Sequence, residues 1–150
     1  MKAAIRNHRY IIATLCFAVI ILVLITAVFS IDNATNKMIV EYAATLGWEV
    51  NPTPAEISHL TIPEEFDAVF ETYNAVQKSC GFDLEEFKGK QVSRYTYQVL
   101  NHKESQNVRV LLGILVYENR IIAGDISSTD KNGFMHAITE TEYINVNDGQ

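Results

Sequence analysis

From Ile11 to Ile31 the chain runs for 21 residues without a charge, and only Thr14, Thr26 and Ser30 are clearly polar. A helix of ~20 apolar residues crosses a bilayer core. Within hydrocarbon it also pairs every backbone donor internally, as an open strand cannot. The run is therefore expected to be a transmembrane helix. Lys2, Arg6 and Arg9 are the only charges before Asp32. By the positive-inside rule this makes residues 1–10 a cytoplasmic tail and residues 11–31 a single span, and puts the rest of the chain outside. Tyr10 falls where an interfacial anchor would sit. A cleavable signal peptide has a shorter apolar stretch and a small-residue cleavage site. Here the stretch is too long, and Val28-Phe29-Ser30 is a poor site. Cys16 lies inside the run rather than after it, so a lipid-modified cysteine is not indicated. The expected location is the cell membrane, single-pass, with the C-terminal domain outside.

The composition of the rest follows once this segment is set aside. Of the hydrophobic residues, 23 fall in residues 1–31, and the remaining 119 residues have an ordinary soluble composition. Those 119 residues carry nine basic and 18 acidic groups, a net charge of −9. An acidic domain repels phosphate backbones, which argues against a nucleic-acid partner. An inner tail of ten residues is too short for catalysis, so the activity is expected outside. Cys80 is the only cysteine beyond the apolar run. An internal disulfide is then impossible there, and stability has to come from a hydrophobic core.

Periodicity predicts an α+β domain over residues 32–142 and a flexible tail over 143–150. Ile39, Tyr42, Ala43 and Leu46 share one helical face, with Gly47 as the stop. Residues 48–50 and 56–62 suit short strands. Thr61 and Glu64 have capping-box spacing with Pro63 between them, which predicts a helix starting there. Its stripe would be Phe66, Val69, Phe70, Tyr73, Gln77 and Cys80, ended by Gly81. A second box, Asp83 to Glu86, predicts one more helical turn. After Gly89 the period becomes two. Residues 91–101, 108–117, 121–127 and 134–138 read as strands joined by connections short enough for hairpins. The expectation is two helices packed on an antiparallel meander sheet.

Few residues point to chemistry. Cys80 on the core stripe, near a helix C-terminus, is expected to be structural, because the dipole there disfavours a thiolate. His59, His102 and His136 lack metal-ligand spacing, so no metal or other cofactor is expected. Residues 128–133 resemble part of a calcium loop, but position 12 would be Thr139 where a chelating glutamate is needed. Asn132-Gly133 reads instead as a hairpin turn. Asp125 stands out inside an apolar strand, and a buried carboxylate calls for a partner such as Arg94 or Arg109. Trp48, Tyr95 and Tyr97 are candidates for lining a peptide groove, although aromatics of a small sheet commonly form its core. Together with Asp125 they are the candidate binding residues. No catalytic residue is assigned.

The ordered string Leu46-Gly47-Trp48-Glu49-Val50, Ile62-Pro63, Phe66, Tyr73-Asn74, Gln77, Gly81-Phe82-Asp83-Leu84, Lys88-Gly89-Lys90 and Tyr95-Thr96-Tyr97 resembles a family of Gram-positive bacterial proteins. Its members are membrane-anchored, and their extracytoplasmic domain is one of unknown function. The likeness runs from about Glu41 to Ile138 and implies bacterial origin and placement outside the membrane. It assigns no catalytic residues. In layout there is a looser similarity to small protease-regulating envelope modules.

Three functions follow as expectations. The first is a non-catalytic binding or regulatory module at the cell envelope, partnered by the membrane through residues 11–31 and by an envelope protein or peptide. The second is an extracytoplasmic enzyme using Cys80 or a histidine–aspartate pair. The third is an assembly partner working through its membrane helix, for which Ala13, Cys16 and Ala27 offer only a thin small-residue face.

Overall fold

The computed structural model describes residues 2–130 and 133–145, with side chains described over 15–24 and from 33 onward. The chain divides into two compact units, Met1–Thr35 and Asn36–Gln150. Helix α1 covers Lys2–Thr45. In the first unit, Leu15, Phe17, Val19, Ile20, Ile21, Leu22, Val23 and Leu24 are all exposed, at 40–65%. Among the described residues no helix is long and apolar enough to cross a membrane. The expected span over 11–31 reaches beyond the described side chains at both ends.

The second unit is an α+β domain built on one antiparallel sheet. Its strands are β1 (Glu56–Thr61), β2 (Gln91–Gln98), β3 (Val110–Tyr117), β4 (Arg120–Ser128) and β5 (Met135–Ala137), in the order β1-β2-β3-β4-β5. This is the expected meander. Residues 48–50 do not form a strand; Val50 makes a single bridge to Val99. The β3–β4 hairpin turns on two residues, Glu118 and Asn119, both at positive φ (47° and 60°). A tight turn that matches the right-handed twist of the strands requires that conformation at both positions.

The two faces of the sheet carry different cores. Tyr95, Tyr97, Leu112, Ile114, Val116 and Ile126 pack with Ile39 and Ala43 of α1 and with Trp48. On the opposite face Val92, Leu115, Ile122 and Ala123 pack with Ile62, Leu84 and Phe87. The α1 face is the one its spacing predicts, and Gly47 (φ 87°) ends it.

The second helix starts later than the capping-box spacing suggests. Helix α2 is Ala68–Ser79, capped by Asp67, whose side chain accepts from the Phe70 N–H at 2.7 Å. Thr61 cannot cap it because Thr61 ends β1 opposite Gln91, and Ile62 extends the ladder by bonding Lys90 and Gly89. Strand pairing uses the backbone groups that a helix start would leave open. The stripe is corrected too: Val69 is 78% exposed, while Asn74 and Gln77 are the buried residues of α2. The turn after Asp83 does form, as a one-turn 3-10 helix over Leu84–Phe87.

Gln77 joins α2 to the sheet. Its Oε1 accepts from the Gly124 N–H at 2.8 Å, where β4 extends beyond the end of β5. Gln77→Ala strands a buried backbone donor and is expected to lower stability by roughly 2 kcal/mol. Urea unfolding checks this, and an unchanged midpoint would show that the bond contributes nothing.

The C-terminal segment is not loose where it is described. Tyr143 closes a 3-10 turn (Thr141–Tyr143), Ile144 bridges to His102, and the Asn145 N–H bonds Asn101 at 2.7 Å. Of the expected tail, residues 143–145 make these contacts, and residues 146–150 lie outside the described residues. Asn132 of the expected Asn-Gly turn is also outside them.

Candidate functional site

A groove of about 620 Å³ runs between α2 and the sheet. Leu60, Val69, Phe70, Val76, Leu115 and Met135 make it apolar, and Arg94, Asp125 and Tyr73 supply a polar floor. Asp125 is 1% exposed. Tyr73 donates its hydroxyl to Asp125 Oδ1 at 2.9 Å, and Arg94 Nη2 lies 3.6 Å from Oδ2. Of the two expected partners, then, Arg94 is the one that pairs. Arg109 stands just before β3, exposed, with its carbonyl bonded by the Thr129 N–H.

Burial pushes the Asp125 carboxyl above the usual carboxylate range, against the opposing pull of Arg94, Tyr73, Ser127 and His136. The Tyr73 hydroxyl is raised as well, first by burial and then by the Asp125 charge. Both groups are held toward their protonated forms by an environment poor in water.

Backbone register brings this floor together. Gly113 of β3 faces Thr96 on one side and Asp125 on the other. A Cβ at Gly113 would lie 2.6 Å from Arg94 Nη2 and 2.9 Å from Asp125 Oδ1. A glycine in a central strand packs nothing and weakens the strand. Here its missing side chain is the space that the ion pair occupies.

A second hollow, about 680 Å³, opens beside the histidines that the sequence left apart. His102 and His136 are buried, with their Nε2 atoms 3.4 Å apart, among the rings of Trp48, Phe134 and Tyr143. Their other nitrogens fix the tautomers. His102 Nδ1 accepts from the Glu104 N–H at 3.0 Å, so its proton sits on Nε2. His136 Nδ1 donates to the Ala137 carbonyl at 3.0 Å, leaving Nε2 as the acceptor. The pair is a closed contact between two neutral rings. A metal would need the Nε2 lone pair of His102, which carries a hydrogen in this arrangement. Among the described residues no group of three or more histidine, cysteine, aspartate or glutamate side chains is placed to hold a metal ion.

One more proton would set two N–H groups against each other across that contact. Burial and the neighbouring His136 push the His102 pKa below its ordinary value. The unfolded chain then binds the extra proton first, at about pH 6.5, so stability is full above that pH and falls as pH drops below it. Asp125 has the opposite sign: its raised pKa adds stability at more acid pH. The expected result is a falling urea midpoint between about pH 7 and 5.5, with most of the fall removed in His102→Phe, which keeps a stacked ring. Equal slopes in the two proteins would contradict the assignment.

The other sequence candidates are placed apart from the groove. Trp48 and Tyr97 are fully buried and Tyr95 nearly so. Trp48 Nε1 donates to the Ile138 carbonyl at 2.7 Å and the Tyr97 hydroxyl to Asn36 at 2.8 Å. These three aromatics lie in the core rather than along a groove. Cys80 is part-buried and packs against the core on the α1 face. It is the C-cap of α2, and its Sγ contacts the Val76 carbonyl at 3.5 Å and the Thr139 hydroxyl at 3.8 Å. Neither partner is an imidazole, so no thiol–histidine couple forms among the described residues. His59 sits on β1 against Ser93, away from the other histidines. Tyr73, Gly113 and the His102–His136 contact were not found as site features by sequence reasoning.

No curated protein and no solved structure matches the chain. One family does, described as a domain of unknown function (DUF4830), over residues 42–126. The match covers more than half of the chain, from the end of α1 to Ile126 of β4, and includes Tyr73, Arg94, Gly113 and Asp125. The chain belongs to the DUF4830 family.

Proposed function

We propose that this is a single-pass membrane protein of a Gram-positive cell envelope, whose outer domain is a non-catalytic binding module with the α2 groove as its site. Residues 1–10 form the inner tail, residues 11–31 the span, and the domain lies outside. The uncharged run and its basic flank support the topology. The eight exposed apolar side chains between Leu15 and Leu24 suit a lipid environment better than water.

One observation carries the binding reading: a buried carboxyl paired with a part-exposed arginine on the floor of an open apolar groove, with a glycine making room for them. Buried pairs are poor stabilisers compared with apolar packing. Apolar walls with a few convergent polar groups are the usual make-up of a recognition site. Tethering beside the membrane raises the effective concentration of the module for a neighbour in the same layer.

The test is a photo-crosslinking residue at Val69, on the groove, in intact cells. The comparison is the same residue at Ile57, an exposed apolar position on β1 that does not line the groove. A discrete adduct from Val69 and none from Ile57 is the expected result. The same diffuse background from both positions would overturn the proposal.

A further inference from the structure

Building on the groove as the binding site, we infer that its ligand is an amphipathic monocarboxylate: one anionic carboxyl group on an aliphatic chain. The head group is set by Arg94, the only cation among the described residues that line the groove. Its side chain is 36% exposed, whereas that of Asp125 beneath it is 2% exposed. An incoming group therefore meets the guanidinium and not the carboxyl. Arg94 Nη2 lies 3.6 Å from Asp125 Oδ2, longer than a hydrogen bond. A planar fork of five N–H donors, partly open to solvent, matches a carboxylate in geometry as well as charge. A cationic head would be repelled by Arg94, and a neutral one would leave its charge unused.

Asp125 limits the ligand to one charge. The one guanidinium among the described lining residues already faces the Asp125 carboxyl at 3.6 Å, so it can pair with one further anion at most. A second negative charge would find no other cation among the described lining residues, within a domain whose net charge is −9.

The aliphatic part is set by the walls. Among the described residues of the second unit five large hydrophobics are exposed, and two of them, Val69 (78%) and Met135 (52%), line this groove. A volume of about 620 Å³ lies within the usual size of a small-molecule site. An alkyl chain covering Val69 and Met135 removes apolar surface from water on protein and ligand together.

The methionines give a local readout, because the chain has only three: Met1, Met38 and Met135. Met135 lines the groove, whereas Met38 packs against the core on the other face of the sheet. The full chain, labelled with 13C at the methionine methyls and held in phosphatidylcholine nanodiscs, is titrated at pH 7 with octanoate, octylammonium and octanol. Octanoate is expected to shift the Met135 signal to saturation and leave Met38 in place. The other two should bind at least tenfold more weakly, and Arg94→Gln should weaken octanoate at least tenfold. Should Arg94→Gln displace the Met38 signal, Val69→Asp is the deciding variant. It changes an exposed position and places a carboxylate against the ligand, so the same tenfold loss is expected. Equal response to all three compounds, or octanoate binding that survives both variants, would overturn the carboxylate inference and leave the groove as a binding site. No Met135 response to any of the three would overturn the groove itself.

Discussion

Trp48→Ala is expected to destabilise the domain by about 3–5 kcal/mol. The indole is 1% exposed and packs with Ile39, Ala43, Tyr97 and Ile138. It also stacks on His102 at 6.0 Å and donates to the Ile138 carbonyl. Truncation removes that apolar burial, opens a cavity at the junction of α1 and the sheet, and leaves a buried carbonyl without its donor. Whole domains are stable by only about 5–15 kcal/mol, so the loss is a large share of the total. Urea unfolding followed by far-UV circular dichroism measures it without needing the tryptophan. A loss under about 1 kcal/mol would mean that the indole is not a core residue. The groove-lining role considered for Trp48 from sequence would then regain its force.

Gly113→Val is expected to cost about 3 kcal/mol at neutral pH, although valine is the better strand residue. The new Cβ meets Arg94 Nη2 and both Asp125 oxygens, the carboxyl oxygens at 2.9 and 3.2 Å. The guanidinium is the end of a long, flexible side chain and gives way first. That strands a buried carboxylate. Breaking a buried pair costs about 3–5 kcal/mol, and the estimate is reduced here because Arg94 is a third exposed. The pH dependence distinguishes this from simple overpacking. Arg94 holds the Asp125 pKa down against burial, so losing Arg94 raises it further. A carboxyl with a raised folded pKa adds stability as pH falls through that pKa. The destabilisation by Gly113→Val should therefore shrink as the pH is lowered from neutrality into the carboxylate range. A pH-independent loss would show that steric overlap, not the broken ion pair, is responsible.

The order of strands was legible because each element carried its own period. Residues 91–101 alternate cleanly, 108–117 are apolar on both faces, and short connections leave little freedom in pairing. The start of α2 was not legible. Thr61-Ile62-Pro63-Glu64 satisfies a local capping pattern, but partners distant in sequence, Gln91 and Lys90, hold those residues extended. Local signals lose where the ladder takes the same backbone groups.

The site shows the same division. Asp125 stands out because a carboxylate is out of place in an apolar strand, and Arg94 is expected on a neighbouring strand; it stands one strand farther, on β2, and reaches Asp125 across Gly113 of β3. The face of Asp125, however, depends on one residue. The two-residue turn at Glu118-Asn119 pairs Tyr117 with Arg120 and Val116 with Ile121, after which Leu115 pairs with Ala123. Ile122 is thus an extra residue in β4. Without that bulge the alternation would turn Asp125 toward Leu112 and the Trp48 core; with it, Asp125 faces Arg94 and α2. No composition or spacing marks a bulge in Arg120-Ile121-Ile122-Ala123. The histidine pair was hidden for a related reason. His102 and His136 are 34 residues apart, and they meet through the β5 strand, the bridge of Ile144 to His102, and the bonds of Asn145 to Asn101 and of Lys103 to Tyr143.

The central claim is that the groove is presented outside the cell by a chain anchored through residues 11–31. The most direct measurement is labelling of single cysteines in intact cells with a membrane-impermeant maleimide, in a Cys16→Ser, Cys80→Ser background. Gln106→Cys, on an exposed loop of the second unit, is expected to label without lysis. Asn7→Cys, which leaves the three basic residues in place, is expected to label only after the membrane is opened. The reverse pattern would put the domain inside the cell, and an envelope binding module could not then be what this chain is.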